Sequence, residues 1–386
     1  MAGSPPGGWP HRVKVLVLCY EYPPVGGGGG RVAAQVSSGL VARGHEVRVQ
    51  TSGMRHLPTR EERDGVRIDR AESFRKKEDT CSVPEMALYL ATSFLPALKI
   101  ARKWRPDVIH AHFAVPTGVL AASVSALTGI PYVLTAHLGD VPGGVPEQTS
   151  HLFKVVDPFA RILWKRAATT TAVSSYVGAL ARAAYSADPH VILNGIAAPA
   201  NTGGPKVANK LLMVGRLSVQ KNPLLAIESL ALVRDLSWTL DVIGDGPLRA
   251  PMEELARQKG VADRTTFRGW LDARDVHTAM AESEILFIPS LHEGLPMAAI
   301  EALHHGLVIV GSNIGGLADV LGDDENGFMC SLEAPAFAER LRQLLTSPEL
   351  RARMAQHSLR LAASFGVDRS VDGYEKVLRA VAGKKE

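Results

Sequence analysis

The stretch VKVLVLCYEYPPVGGGGGR, residues 13–31, decides how this chain of 386 residues folds. Its first seven residues are apolar except for Lys14, which is typical of a strand buried on both faces of a parallel sheet. A glycine-rich loop follows, and an amphipathic helix is predicted from Arg31 to about Arg43. Strand, loop and helix in this order predict a doubly wound α/β domain, because such domains repeat this unit around a parallel sheet.

The same unit recurs along the rest of the chain. Further strands are predicted at residues 44–51, 107–112, 132–135, 169–173 and 191–193, and a second series at 210–215, 240–246, 284–290 and 308–312. Two series in 386 residues predict two domains, each large enough for its own core. The expected fold class is α/β, with two Rossmann-like doubly wound domains that face each other across a cleft.

The boundary between the domains is placed in the polar stretch 194–209, which contains glycine and proline. The N-terminal domain is predicted over residues 1–197 and the C-terminal domain over 198–366. Two final helices, near 348–363 and 367–381, have no strand partners. The segment 367–386 is expected to join the N-terminal domain.

Composition narrows the class of protein. Apolar residues make up 46% and charged residues 21%, as in soluble globular proteins, and the net charge is only +4 without a long basic run. Nucleic acid is therefore not an expected partner. Cys19, Cys81 and Cys330 lie far apart, which predicts reduced cysteines in a cytoplasmic protein.

Two hydrophobicity patterns bear on membranes and export. The N-terminal residues 1–12 lack the apolar core of a signal peptide. The longest uncharged stretch, 113–136, could span a bilayer by length, but prolines and glycines interrupt it. We expect a buried helix at about 116–128 and a strand at 132–135 instead.

The five glycines at 26–30 lie between the first strand and the first helix. Glycine lets backbone N–H groups approach a ligand closely, and a helix N-terminus favours anions. A nicotinamide cofactor would require an acid after the second strand, where Gln50 and Thr51 stand. The loop therefore predicts close approach to a phosphate or an acceptor, with a flexible structural loop as the alternative.

Two motifs in the second half carry charge at strand ends. In RLSVQKNP, residues 216–223, Arg216 and Lys221 follow a strand and precede a helix that Pro223 can start. Cations at the carboxyl end of a strand can face the cleft and clamp a diphosphate. The alternative interpretation is a pair of solvated surface charges.

In HEGLPMAAIE, residues 292–301, Glu293 precedes a helix and Glu301 lies in its second turn. Their carboxylates are expected roughly 10–12 Å apart, about the distance from a hexose to the ribose of a nucleotide sugar. The helix N-terminus between them would face a phosphate, with donors near Leu295 to Met297. Alternatively, Glu293 caps the helix and Glu301 lies at the surface.

Taken together, these motifs resemble the retaining glycosyltransferases of family 4, which have the GT-B fold. The resemblance covers nearly the whole chain. It is carried by YPPVGGGGGR, LVARGHEV, AHFA, TAHLGD, GRLSVQKNP, IGDGP, FRGW and FIPSLHEGLPMAAIEALHHGLVIVGSNIGG. One departure is the run of five glycines, where the family usually has larger residues interspersed.

The resemblance implies a role for each matching position. Arg216 and Lys221 would neutralise the donor diphosphate, Glu293 would lie beside the transferred sugar, and Glu301 would bind the ribose. His137 would contact the sugar, with Asp140 close by. The catalytic set implied is Glu293, His137, Arg216 and Lys221. The resemblance places the nucleobase at Gly269, Trp270 and Leu271, and the phosphate and acceptor near Gly27 and Gly28. The donor site would be completed by Gly294, Leu295, Pro296 and Met297.

The implied reaction moves a hexosyl-type sugar from a UDP- or GDP-linked donor to an acceptor hydroxyl, in glycan, glycolipid or glycoside biosynthesis. In such retaining enzymes the acceptor attacks the face that the leaving group departs from, and Glu293 is not assigned as a covalent nucleophile. No cofactor or metal is expected. His110 and His112 share one face of a strand, but the sequence offers no third ligand nearby.

The acceptor is left open as a sugar, a lipid-linked sugar or a small molecule. Residues 73–79 and the apolar helix at 85–105 predict either a peripheral contact with a membrane surface or a core helix with a solvated basic end. Three other functions remain as alternatives. They are a GT-B glycosyl phosphorylase, an NAD-dependent oxidoreductase and a non-catalytic sugar-nucleotide binding protein.

Overall fold

A computed structural model describes residues 12–78, 80–146, 157, 159–199 and 204–383. The first half forms an eight-stranded sheet. Its strands are β1 (Lys14–Cys19), β2 (Glu46–Gly53), β3 (Arg60–Arg63), β4 (Val66–Glu72), β5 (Val108–His112), β6 (Tyr132–Ala136), β7 (Thr169–Ala172) and β8 (His190–Val191). The order across the sheet is β3-β4-β2-β1-β5-β6-β7-β8, and only the β3–β4 pair is antiparallel.

The second half forms a six-stranded parallel sheet. Its strands are β9 (Lys210–Val214), β10 (Thr239–Ile243), β11 (Thr265–Gly269), β12 (Ile285–Ile288), β13 (Val308–Ser312) and β14 (Gly327–Cys330). Their order is β11-β10-β9-β12-β13-β14. The predicted fold class, two doubly wound α/β domains, is therefore confirmed.

Helices cover both faces of each sheet. In the first half they are α1 (Gly28–Ala42), α2 (Val83–Trp104), α3 (Val119–Thr128) and α4 (Ser175–Tyr185), with further helical residues at 159–166. The second half has α5 (Pro223–Ala231), α6 (Arg249–Gln258), α7 (Ala273–Glu282), α8 (Met297–His304), α9 (Ala334–Thr346), α10 (Pro348–Ala362) and α11 (Val367–Ala382).

Helix α1 begins three residues before the predicted start at Arg31, because the last three glycines already belong to it. A Cβ on Gly30 would lie 2.8 Å from the carbonyl oxygen of Glu21, and one on Gly29 would collide with the ring of Phe113. Close packing therefore requires glycine here, so this part of the run is not a flexible loop.

The β3–β4 hairpin was not predicted from the sequence. Its two-residue turn is Asp64-Gly65, with φ of 51° and 73°. Positive φ at both central residues defines the turn that Asp-Gly favours in tight hairpins. The Asp-Gly pair was a sequence signal for this turn, but charged residues on both strands interrupt the apolar pattern that predicts a strand.

Helix α11 returns to the N-terminal domain. Val371, Tyr374 and Leu378 are buried in the core that α1 and the first strands form. The chain crosses between the two halves twice, and the two crossing segments are hydrogen-bonded to each other. The N–H of Ile196 donates to Phe365 (2.9 Å), and the N–H of Val367 donates to Ile196 (3.0 Å). The domain limits at 197/198 and 366/367 stay a prediction, and residues 200–203 and 384–386 lie outside the described part.

The long uncharged stretch folds as expected, with α3 followed by β6 and an irregular turn at 114–118 in front. Across the described ranges, no helix has the length and apolar character that crossing a membrane requires. The predicted lack of a signal peptide falls largely on residues 1–11, which lie outside the described residues.

Candidate active site

The carboxyl ends of the two sheets meet at one cleft, where the halves of the chain touch. A Cβ on Gly294 would lie 3.0 Å from the Cβ of Leu138, and one on Gly28 would lie 3.6 Å from Cγ of Met297. The guanidinium of Arg31 lies 3.8 Å from the carboxylate of Glu301. Segments predicted to bind the donor thus come within contact distance of the N-terminal domain.

The centre of the site is an ion pair between two predicted residues 72 positions apart. Nζ of Lys221 lies 2.6 Å from Oε1 of Glu293, and the hydroxyl of Ser290 donates to the same oxygen at 2.7 Å. The side chain of Glu293 is 6% exposed, whereas that of Lys221 is 26% exposed. Adjacent strands bring them together, since Lys221 follows β9 and Glu293 follows β12.

Arg216 lies two residues after β9 and is half-buried. Gly215 precedes it with φ of 141°, and a Cβ there would be 3.8 Å from Cε of Lys221. The side chain of Lys221 therefore folds back over the end of β9, where Arg216 also lies. Both predicted cations emerge at one strand end.

Helix α8 starts in the same cleft. Pro296 is its N-cap residue and Met297 its first residue, as the sequence predicted. Gly294 and Leu295 lie between Glu293 and the helix, and Leu295 is buried. The carboxylate, the backbone of this turn and the helix N-terminus therefore form one continuous surface.

Glu301 lies in the second turn of α8, mostly buried. Burial raises its pKa above the ordinary glutamate value, while the charges of Arg31 and His277 act in the opposite direction. Glu301 therefore meets the N-terminal domain through Arg31, a contact that the sequence did not reveal.

The predicted nucleobase segment lies at the next strand ends. Gly269 ends β11 with φ of 68°, Trp270 is 59% exposed and Leu271 is half-buried. The backbone of Gly269 accepts from Gly244 at 2.8 Å. Since the strand order is β11-β10-β9-β12, this segment, the two cations and Glu293 follow one another along one sheet edge.

His137 follows β6 in the N-terminal domain and is 7% exposed. Its ring stacks on Phe113 with ring centres 4.3 Å apart, and its Nε2 lies 3.3 Å from Nδ1 of His112. Burial lowers the pKa of His137 to about 3, so the imidazole is neutral near pH 7. Neutral imidazole can donate or accept one hydrogen bond at each of its two nitrogens.

Asp140 faces the backbone of its own loop. Its carboxylate accepts the N–H of His137 at 2.8 Å and further bonds from the backbone of Ala114 and Val115. Burial raises its pKa to about 8, although the backbone donors act in the opposite direction. Asp140 therefore positions the segment that carries His137, and a direct contact with a sugar stays a prediction.

Gly27 is the N-cap of α1, and its N–H donates to Glu21 at 3.1 Å. A Cβ added there would meet nothing within 4 Å. Gly28 faces Met297 across the cleft, as described above. Of the two predicted glycines, Gly28 is therefore the one that faces the opposite domain.

The contact of Gly316 with the Glu293 loop was not predicted from the sequence. A Cβ on Gly316 would collide with the backbone carbonyl of Glu293, so only glycine allows the two loops to touch. The quoted motif SNIGG contains Gly316, and its double glycine was the available signal. Next to it, the ring of Tyr176 covers Gly315, and Asp319 accepts the N–H of Ser175 at 2.8 Å.

Among the residues that the structure describes, no group of three or more His, Cys, Asp or Glu side chains has metal-binding geometry. His110 and His112 do lie side by side, with ring centres 4.2 Å apart. Both are fully buried.

Comparison with known proteins gives two family matches that together span residues 26–360. Residues 198–360 match glycosyl transferases group 1, and residues 26–198 match glycosyltransferase family 4. The 2-deoxystreptamine N-acetyl-D-glucosaminyltransferase of Streptomyces fradiae is 30% identical, over 81% of this chain and 80% of the relative.

Two solved structures share the fold. Sucrose-phosphate synthase from Thermosynechococcus elongatus superposes with a TM-score of 0.85 at 19% identity, covering 97% of this chain and all of that one. The Anabaena protein HepE, solved with UDP and glucose, gives 0.76 at 18% identity, covering 96% of this chain and all of that one.

Proposed function

The chain belongs to the glycosyl transferases of group 1 and has the GT-B fold, and from this premise we propose that it is a retaining hexosyltransferase. Its donor would be a nucleoside-diphosphate sugar, linked to UDP or GDP. Its acceptor would be a hydroxyl of a sugar, a lipid-linked sugar or a small molecule. The observation that carries the proposal is the Lys221–Glu293 pair at the N-terminus of α8.

The donor diphosphate is proposed to lie over the end of β9. Arg216 and Lys221 supply positive charge there, and the first N–H groups of α8 add the positive end of a helix dipole. Negative charge grows on the diphosphate as the glycosidic bond breaks, so these groups stabilise the transition state more than the ground state.

Glu293 is proposed to hold the sugar. Lys221 and Ser290 both engage Oε1, which leaves Oε2 to accept a sugar hydroxyl. A carboxylate held by a lysine and a serine is oriented before the substrate arrives, which lowers the entropic cost of binding. Glu301, eight residues on, would accept from the ribose hydroxyls.

The acceptor is proposed to bind between the N-terminus of α1 and His137, on the opposite wall of the cleft. Its hydroxyl would attack the face from which the diphosphate leaves, with the departing phosphate as base. The related Streptomyces enzyme, named for 2-deoxystreptamine, makes a small aminocyclitol one acceptor to test.

The proposal is tested by incubating the protein with UDP-, GDP- and ADP-sugars, with and without a panel of acceptors. Nucleoside diphosphate released only with acceptor, and an anomeric configuration that NMR shows to be retained, would support it. An inverted product would refute retention. Sugar 1-phosphate formed from inorganic phosphate would indicate a phosphorylase, and no turnover with any pair would count against transfer.

A peripheral membrane contact is proposed for the outer face of α2. Val83 and Leu95 are 56% and 69% exposed, and the helix ends in the exposed residues Arg102 and Lys103. Exposed apolar side chains on a helix with a basic end would suit an anionic bilayer surface. Of the predicted basic segment 73–79, Arg75 is buried instead and bonded to backbone carbonyls, and Asp79 lies outside the described residues.

Vesicle sedimentation tests this contact. Binding to vesicles with anionic lipid, little binding to neutral vesicles and a loss in Leu95→Glu would support it. Equal recovery of wild type and Leu95→Glu with the anionic vesicles would contradict it.

A further inference from the structure

Behind His137, away from the cleft, lies a column of buried rings and hydroxyls. His112 and His110 have ring centres 4.2 Å apart, and Tyr374 of α11 lies 5.3 Å from the ring of His110. His110 Nε2 lies 2.7 Å from the hydroxyl of Thr135, which is 2.7 Å from the hydroxyl of Thr171. The proposed transfer reaction gives these groups no role.

His112 is the member of this column that reaches His137. It is fully buried on β5, and its Nδ1 lies 3.3 Å from Nε2 of His137. Burial lowers the pKa of His112 well below its ordinary value and that of His137 to about 3, so both rings are neutral. Two neutral rings at this distance share one proton between the facing nitrogens, and that proton belongs to one ring or the other.

The far nitrogen of His112 decides which ring carries the shared proton. Within the described ranges, Nε2 of His112 is buried and has no hydrogen-bond partner. A proton there would be a buried N–H without an acceptor, and such orphaned donors are rarer in proteins than unused acceptors. The favoured tautomer of His112 therefore carries its proton on Nδ1 and donates to Nε2 of His137.

The consequence for His137 follows from the chemistry of neutral imidazole. If Nε2 accepts from His112, the proton of His137 must be on Nδ1. That nitrogen faces the first turn of α1, because a Cβ on Gly29 would lie 3.1 Å from it. Phe113 fixes the ring plane by stacking. His137 thus presents a donor toward the glycine-rich turn.

We propose that His112 is a positioning residue that fixes the tautomer of His137, so that Nδ1–H donates to a sugar or phosphate oxygen in the cleft. The tautomer of His137 is a property of the ligand-free protein, so it can be measured without a substrate. The identity of the oxygen that accepts rests on the proposed function. The two parts can therefore fail separately.

Nitrogen-15 NMR of histidine-labelled protein reads the tautomer directly. Long-range proton–nitrogen spectra distinguish an imidazole protonated on Nδ1 from one protonated on Nε2, and His137→Ala identifies the signal among the 13 histidines. We expect Nδ1–H for His137 in wild-type protein without ligand. A signal for Nε2–H would overturn the proposal whether or not the protein transfers sugars.

Variants at position 112 test the cause. In His112→Asn, the amide N–H can replace the Nδ1 donor, so His137 should keep its tautomer and most of its activity. In His112→Leu, the donor is lost, and the His137 signal should become a mixture of tautomers. His110→Leu is the matched control, because it also removes a buried ring of β5 but leaves the His112–His137 contact.

Kinetics separates positioning from a purely structural role. In His112→Leu, kcat should fall roughly 10- to 100-fold, the range for losing the partner that orients a metal-binding histidine, while KM for the donor changes far less. His110→Leu should lower thermal stability without this kcat loss. An unchanged His137 tautomer in His112→Leu, or equal kcat losses in both leucine variants, would refute the role of His112. A normal tautomer pattern in a protein without transferase activity would refute only the proposed function.

Discussion

Replacing Lys221 with methionine tests whether the buried ion pair serves stability, catalysis or both. The change keeps the aliphatic stem but removes the ammonium 2.6 Å from Glu293. Leaving one partner of a buried pair without the other costs about 3–5 kcal/mol. Here Ser290 still donates to the carboxylate, and Lys221 is 26% exposed, so we expect about 2–3 kcal/mol.

That loss should appear as a melting temperature about 5–10 °C lower for the half of the chain that carries the pair, given about 2–4 °C per kcal/mol for domains of this size. Differential scanning calorimetry measures it. Turnover should fall about 10²- to 10³-fold, because a charge that stabilises the leaving group is lost.

A double variant separates the two effects. Adding Glu293→Gln to Lys221→Met removes the uncompensated charge, so the melting temperature should recover by about half or more. Turnover should not recover. If Lys221→Met melted with wild-type protein, or retained turnover within about tenfold, the assignment of Lys221 to the diphosphate clamp would be wrong.

Three further changes test other parts of the cleft. The pKa of Glu301 is raised by burial, and its carboxylate is proposed to accept from the ribose. UDP or GDP affinity should therefore be complete above that pKa and fall with decreasing pH earlier than an ordinary glutamate at about 4.3 would cause. Calorimetric titration of Glu301→Gln should give weaker binding without this pH dependence, and a persistent pH slope would exclude Glu301 as its source. Gly316→Ala should displace the Glu293 loop and lower turnover about 100-fold. The control Gly383→Ala, whose methyl group meets nothing within 4 Å, should be neutral in the same assay. Equal turnover of the two variants would contradict the contact between Gly316 and Glu293. Asp319→Ala removes the hydrogen bond from the N–H of Ser175, which joins the two halves and is worth about 1 kcal/mol. Donor Kd should therefore rise about fivefold, and X-ray scattering should show a more open molecule. An unchanged Kd would mean that the contact does not favour closure.

Most of the strands that lie inside the two sheets were predictable because they are rich in apolar residues. β1, β5, β6, β12 and β13 all coincide with predicted runs. The edge strands β3, β11 and β14 were missed, and so was β4 beside β3, since short strands and strands with charged or alternating residues do not give that pattern.

The site was predictable only as separate motifs. Spacing within a motif placed Glu301 in the second turn of α8 and both cations after β9, as found. That Lys221 holds Glu293 depends on β9 lying beside β12, and strand order cannot be read from local sequence. The contact of His112 with His137 depends on side-chain direction across two strands, which no spacing rule supplies.

The paired crossings between the halves limit how such a protein can be recombined. Because α11 completes the core of the first half, a chimera that exchanged everything after residue 197 would leave α1 and the first strands without their native partner helix, which carries Tyr374. Exchange of donor specificity should instead use two junctions, near Ile196 and Gly366, where the backbones bridge. Gly195 must be kept with them, since a side chain there would collide with the carbonyl of Gly366. The half that contains β9 to β14 is in effect an insertion into the other half, with both of its ends at one junction.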